Sequence, residues 1–147
     1  LHEKISTMNK SYYDLRGKIV SAERRIKVLD EHLSMWEQYE KHKGIRRQLD
    51  KVKQGRKGQF EQKHGTELAL YEAAARYLEK LKSGGEAVTP KKWRAESEKL
   101  TVQKEIHYQE MRTMREQIKA VENLRKAADQ IEKSQQNRNR KKEGNQL

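Results

Sequence analysis

The chain has 147 residues, of which 33% are hydrophobic and 38% are charged, and it contains no cysteine. Such a composition is thin for a globular core but usual for long paired helices, so it favours an extended helical protein. The net charge of +12 favours an anionic partner such as nucleic acid. Without cysteine a disulfide-built secreted fold is excluded, and no apolar run approaches the roughly 20 residues of a membrane span. A cytoplasmic location without membrane contact is therefore expected.

The first predicted element is a long helix over residues 3–42. Its apolar residues recur at spacings of three and four, which is the a/d seam of a coiled coil and requires a partner helix. This seam consists of Ile5, Met8, Tyr12, Leu15, Ile19, Ala22, Ile26, Leu29, Leu33 and Trp36. Gly44 is expected to end the helix, because glycine is common just past helix ends. The chain opens at Leu1 in mid-pattern, which suggests a piece of a longer protein.

Residues 44–65 are predicted to form a basic connector, because Gly55, Gly58 and Gly65 interrupt the helical pattern there. Its candidate nucleic-acid-binding residues are Arg46, Arg47, Lys51, Lys53, Arg56 and Lys57. If the segment is helical, Arg46 and Lys53 share a face, and Arg47 pairs with Lys51 one turn on. Such a row predicts contacts with DNA phosphates, and a solvated basic loop is the open alternative.

A short helix is predicted over residues 67–82, with Thr66 as its N-cap and Gly84-Gly85 at its end. It is apolar over a wide arc, which predicts contact with two neighbouring helices. The last helix is predicted over residues 90–133, where Thr89 is the N-cap and Pro90 the first helical residue. A second seam on it comprises Met111, Met114, Ile118, Val121, Ala128 and Ile131.

Residues 134–147 are predicted to be a basic, solvated tail, because only the last of them is apolar, and a continuation of the last helix is the open alternative. A second, unstructured contact with DNA is assigned there to Arg138, Arg140, Lys141 and Lys142. The expected fold is all-α, with residues 1–133 as a single helical domain. Its arrangement is a long antiparallel helical hairpin, a coiled-coil stalk with the short third helix packed at the turn end.

Four stretches carry a resemblance to a known family: YYDLRGKIVSAERRIKVL, KQGRKGQFEQKHGTELALYEAAARYL, TPKKWRAESEKL and KEIHYQEMRTMREQIKAVENL. In their order and local sequence they resemble the C-terminal helical region of relaxases, the mobilisation nucleases of conjugative and mobilisable elements in Gram-positive bacteria. The resemblance covers most of residues 4–133. It implies a role in plasmid or transposon transfer, with DNA and other relaxosome proteins as partners. The resemblance implies that the catalytic tyrosine and histidine triad of such nucleases lie in an N-terminal domain outside these 147 residues.

No enzymatic, metal or cofactor site is expected from the residues themselves. The five histidines contain no HxH, HxxxH or HExxH pair; His107 is expected on a seam and the others in solvent. Tyr12, Tyr39, Tyr71 and Tyr77 lie on apolar stripes and are expected in the core. The Gly55–Gly58 segment, Gly-Arg-Lys-Gly, is a candidate phosphate-cradling turn but lacks the P-loop spacing.

The sequence thus favours a non-catalytic accessory domain of a relaxase-like protein that contacts DNA phosphates through a basic head. Base contacts are not predicted, because no aromatic residue is interleaved among the cations along the chain. The alternative is a coiled-coil scaffold that forms a homodimer or docks relaxosome proteins.

Overall fold

The computed structural model describes residues 2–146 and contains four α-helices there. They are α1 (His2–Lys51), α2 (Gln54–Lys63), α3 (Gly65–Ser83) and α4 (Pro90–Gln146). No β-strand occurs among these residues, which confirms the predicted all-α class. In that range no helix combines the length and the apolar character needed to cross a bilayer.

The first helix is longer than predicted, since α1 continues through Gly44 to Lys51. A Cβ atom at Gly44 would meet nothing within 4 Å, so this glycine lies on an open face of the helix. A glycine there costs about 1 kcal/mol of helix propensity relative to alanine. The buried Leu49 and the half-buried Ile45 offset that cost by continuing the apolar stripe.

Most of the predicted connector is helical. Only Val52 and Lys53 separate α1 from α2, and Lys53 has an extended backbone with φ −59° and ψ 141°. The α2 helix includes Gly55 and Gly58, and at its C-terminal end the His64 N–H donates to the Phe60 carbonyl at 2.9 Å. Glycine lowers helix propensity without forbidding a helix, so the glycine content wrongly predicted a long interruption between the helices.

Both ends of α3 lie close to their predicted positions. The helix begins at Gly65, so His64 and not Thr66 occupies the N-cap position, and Glu67 lies in the first turn. The His64 Nδ1 atom and the Glu67 carboxylate are 2.8 Å apart. At the other end Gly85 has φ +86°, a conformation that favours glycine and stops the helix.

The last helix begins at Pro90 as predicted, and the Trp93 N–H donates to the Thr89 carbonyl at 3.0 Å. Its end differs, since α4 continues through the predicted tail to Gln146. Residues 134–144 are all exposed, so the tail is solvated but helical. No proline follows Pro90, and Gln, Arg, Lys and Glu have good helix propensity, which accounts for the continuation.

The chain divides into two compact units. The terminal unit combines α1 up to Ser21 with α4 from Gln103 onward, and the central unit is Ala22–Val102. The boundary of one domain at residue 133 stays a prediction. No residue of the first seam is exposed in either unit.

The terminal unit has a small core in which Leu15 and Ile19 of α1 pack with Met111 of α4. Beside it the Arg115 guanidinium donates to the Tyr12 hydroxyl at 2.8 Å and lies 5.8 Å from the ring centroid. After Val121 every side chain through residue 144 is exposed. The predicted second seam is therefore wrong at Ala128 and Ile131, because no other described residue covers that part of α4.

The central unit is built around Leu29, Leu78 and Trp93, which come from α1, α3 and α4. Leu29 is fully buried, and Trp93 is 3% exposed. Half-buried residues enclose this cluster: Leu33, Trp36, Tyr39, Tyr77, Leu81, Val88 and Leu100. The wide apolar arc of α3 accordingly packs against two other helices of this unit.

Candidate nucleic-acid interface

The candidate cations of the connector belong to the central unit, at the end of α1, in the link after it and in α2. Arg47, Lys51, Lys53 and Arg56 are exposed, and Lys57 is half-buried. Arg46 makes a weak ion pair with Asp50, 3.7 Å between Nη2 and Oδ1. Within the described residues none of the other five cations makes an ion pair. Their charge is therefore available to an external anion.

The structure does not form the predicted helical face that joins Arg46 to Lys53. Arg46 lies in α1, whereas Lys53 lies outside both helices in the extended link before α2. Arg47 and Lys51 do lie one turn apart on α1, as the i, i+4 spacing requires. The cations thus lie on three consecutive segments, which are the end of α1, the extended link and the start of α2.

The Gly55–Gly58 segment is not a turn, so the predicted phosphate-cradling loop is wrong. These residues form the first turns of α2, where the Arg56 N–H donates to the Lys53 carbonyl at 2.8 Å. No side chain caps this helix. Helical geometry directs the remaining N–H groups along the helix axis and does not gather them into a loop.

The second candidate group lies in the terminal unit, on the exposed end of α4. The side chains of Arg138, Arg140, Lys141 and Lys142 are all exposed there. Because this segment is helical, Arg138 lies on one face with Lys141 and Lys142, at spacings of three and four. The segment that was predicted to be unstructured is therefore helical, and these three cations share one of its faces.

Two tyrosines lie beside the cations of α1, which the order of the chain does not reveal. The rings of Tyr39 and Tyr71 stack at 5.0 Å between centroids and 23° between planes, and both residues are half-buried. Burial and the neighbouring Tyr39 hydroxyl raise the pKa of Tyr71, whereas the charges of Arg46 and Arg47 act to lower it. Both guanidinium charges therefore act on this aromatic pair.

A cleft of about 220 Å³ opens beside the stacked tyrosines. Its wall includes Trp36, Tyr39, Tyr71, Glu79 and Lys82. Trp36 also lines a second groove of about 450 Å³, whose other residues are Thr89, Pro90, Lys91, Lys92 and Arg94. One indole thus contributes to two concave sites in the central unit, and lysine or arginine borders both.

A buried polar group lies in the core of the central unit. His32, which is 4% exposed, has its Nδ1 2.6 Å from the Tyr77 hydroxyl and its Nε2 3.5 Å from the Glu86 carboxylate. The Trp93 ring lies 4.9 Å from the imidazole. Burial, with the charges of Glu31 and Glu86, raises the pKa of Tyr77.

The expectation that every histidine except His107 is solvated is wrong for His32 and His42. His42 is 5% exposed, and its Nε2 lies 3.1 Å from Gln38 Oε1, one turn away on α1. Among residues 2–146 no group of three or more His, Asp or Glu side chains is arranged to hold a metal ion. Both histidines are buried side chains of the central unit.

Sequence patterns placed Tyr39 and Tyr71 on apolar stripes and so assigned them to the core alone. For Tyr39 the sequence does hold a signal, since it lies seven residues before Arg46 on α1 and so on the same helix face. No comparable signal links Tyr71 of α3 to these cations. No protein-family model, curated protein or solved structure matches this chain. Its function is therefore inferred from the residues and their geometry.

Proposed function

We propose that this chain is a non-catalytic accessory domain of a relaxase-like mobilisation protein, which binds DNA in the bacterial cytoplasm. The observation that carries the proposal is the group of cations at Arg47, Lys51, Lys53, Arg56 and Lys57, none of which is in an ion pair within the described residues. Each phosphate that such cations neutralise releases counterions, which favours binding to any sequence. The net charge of +12 would draw DNA toward the protein.

The relaxase-like parent follows from the four stretches of sequence that resemble that family. The hairpin arrangement belongs to the same proposal. Its support is the order of contacts in the terminal unit, where Tyr12 meets Arg115 while the later Leu15 and Ile19 meet the earlier Met111. Arg138, Arg140, Lys141 and Lys142 supply a second phosphate contact.

The salt dependence of DNA binding tests the assignment of the contact. We compare the wild type with a variant in which Arg46, Arg47, Lys53, Arg56 and Lys57 are replaced by alanine, and measure fluorescence anisotropy between about 50 and 200 mM salt. Wild-type affinity should fall steeply with salt. The slope of log K against log salt should become shallower by about 0.9 for each phosphate that the variant no longer neutralises.

A control variant separates local contact from net charge. It replaces Lys10, Lys18, Arg24, Lys27 and Lys99, which are exposed and lie elsewhere on the helices, so the total charge changes equally. We expect this control to retain most of the wild-type slope. An equal reduction of the slope in the two variants, or unchanged binding in the first, would contradict the assignment of the basic segment as the DNA-binding surface.

A second candidate function is a scaffold that pairs with another copy of the chain or with a partner helix. The observation that favours it is the exposure of apolar residues on α4, where Leu124 is 63% and Ile131 is 61% exposed. A helix face of this kind is a common pairing surface. The mass of the protein in solution distinguishes the two candidates.

A further inference from the structure

We propose that the central unit binds single-stranded nucleic acid, with an unpaired base against Trp36, Tyr39 and Tyr71 and the adjacent phosphates on the surrounding cations. The inference rests on the proposed DNA-binding function and specifies the form of DNA that the site takes. The order of residues along the chain does not predict such a site, because no aromatic residue is interleaved among the cations there.

The first step is the size and lining of the cleft. Its volume of about 220 Å³ lies below the roughly 300–1,000 Å³ of sites that enclose a whole drug-sized ligand. It therefore suits a single planar ring whose sugar and phosphate remain outside. Trp36, Tyr39 and Tyr71 present aromatic surface in its wall, and base–aromatic stacking tolerates any base because each has a π-face.

The second step is the charge around the aromatic residues. The charges of Arg46 and Arg47 act on Tyr71, Arg46 shares a face of α1 with Tyr39 seven residues before it, and Lys82 is part of the cleft wall. Glu79 is also in that wall and would repel a phosphate inside the cleft, which leaves the neutral base as the favoured occupant. The phosphates on either side of that base would lie outside, within reach of the cations.

The third step is the second groove, which continues the same chemistry past Trp36. Lys91, Lys92 and Arg94 border it, together with the apolar ring of Pro90. Arg94 is only weakly engaged by Glu37, at 4.0 Å, and the two lysines are exposed. Cations therefore line both concave sites to which Trp36 contributes, as a strand that passes over the aromatic residues requires.

The fourth step excludes an intact duplex from the aromatic surface. In a duplex both faces of every internal base are stacked on neighbouring base pairs, so a protein ring gains access only to an unpaired base. Phosphate contacts alone would bind either form. A preference for single strands is thus the measurable consequence of the aromatic cleft.

The test compares an oligodeoxythymidine of about 16 nucleotides with a duplex of the same length, by fluorescence anisotropy at one salt concentration. The variants are Tyr39→Leu and Tyr71→Leu in the full chain, and circular dichroism verifies their helix content. We expect each to bind the single strand about tenfold more weakly and the duplex as the wild type does. The matched controls Tyr39→Phe and Tyr71→Phe retain the ring and should bind the single strand normally.

Tryptophan fluorescence supplies a second measurement on the wild-type protein, which remains informative even if the leucine variants fail to fold. Stacking of a base on Trp36 should quench the wild-type emission when the single strand is added but not when the duplex is added. Trp36→Phe should abolish most of this quenching, because Trp93 is buried and distant from solvent at 3% exposure.

The outcomes separate this inference from the function on which it rests. Equal affinity for both forms, with no effect of the leucine variants and no quenching, would overturn the stacking inference. If, in that case, the alanine variant of the five cations still bound DNA more weakly than the wild type, the proposed DNA binding would remain supported and only the stacking inference would fall. Failure of the wild type to bind either form would overturn the proposed function and the inference together.

Discussion

At the scale of single residues, the central unit is joined by a two-point ion pair between α1 and α4. Arg25 donates from Nε to Glu96 Oε1 at 2.9 Å and from Nη2 to Oε2 at 3.1 Å. The hydrogen bond from Arg25 is the main cause that lowers the pKa of Glu96, and it raises that of Arg25. The side chains are 40% and 43% exposed, so solvent screens the pair and its contribution is below about 1 kcal/mol.

Glu96→Gln should therefore lower the free energy of unfolding by less than about 1 kcal/mol at neutral pH. The folded pKa of Glu96 is lowered, so its stabilisation is complete above the unfolded value of about 4.3 and disappears as pH falls through the folded value. Urea unfolding of both proteins from pH 7 down to pH 3 checks this. The control Glu98→Gln removes a nearby exposed charge, and a pH-independent difference between wild type and Glu96→Gln would contradict the prediction.

At the scale of elements, two glycines in the central unit have opposite roles. Gly44 lies within α1 with nothing near its Cβ position, whereas Gly85 has φ +86° after the end of α3. Composition alone predicts a helix end at both. The structure separates a glycine that is merely tolerated from one whose backbone conformation is required.

Gly44→Ala should raise the free energy of unfolding by about 1 kcal/mol, because alanine improves helix propensity without a clash. Gly85→Ala should lower it by roughly 1–2 kcal/mol, because an L-residue is strained at positive φ. Thermal unfolding followed by circular dichroism measures both shifts, with Gly17→Ala as a second stabilising control. A decrease of stability in Gly44→Ala would indicate that α1 ends at that glycine, as the sequence pattern predicts.

At the scale of the whole molecule, charge and exposed apolar surface favour different states of association. A net charge of +12 opposes self-association through repulsion, whereas Leu124 and Ile131 expose an apolar helix face. The first effect is screened by salt and the second is not. Salt dependence of the mass therefore identifies which one dominates.

Sedimentation equilibrium of the free chain should give a monomer mass at low and moderate salt if DNA binding is the function. Addition of the oligonucleotide should then raise the mass by that of the bound DNA. A dimer insensitive to salt would favour the scaffold, and Leu124→Lys with Ile131→Lys should then dissociate it. The control Gln130→Lys adds charge to an exposed polar site of the same helix.

Local patterns predicted the helices well and their ends less well. Thr89-Pro90 marked the start of α4, and the seam from Ile5 to Trp36 contains no exposed residue. The errors at Gly44 and at residue 134 have one cause. Helix termination depends on whether the next residues gain enough packing or propensity to continue, which a single glycine or polar run does not decide.

For the candidate site, too, local sequence properties could be predicted and contacts between distant residues could not. The order of residues was enough to identify an all-helical, strongly basic chain, because periodicity and charge are local properties. Only the tertiary structure placed Tyr71 of α3 against Tyr39 of α1, beside Arg46 and Arg47, and buried His32 against Tyr77 and Trp93. Such contacts join residues far apart in the chain, and they depend on which faces of three helices pack together around Leu29.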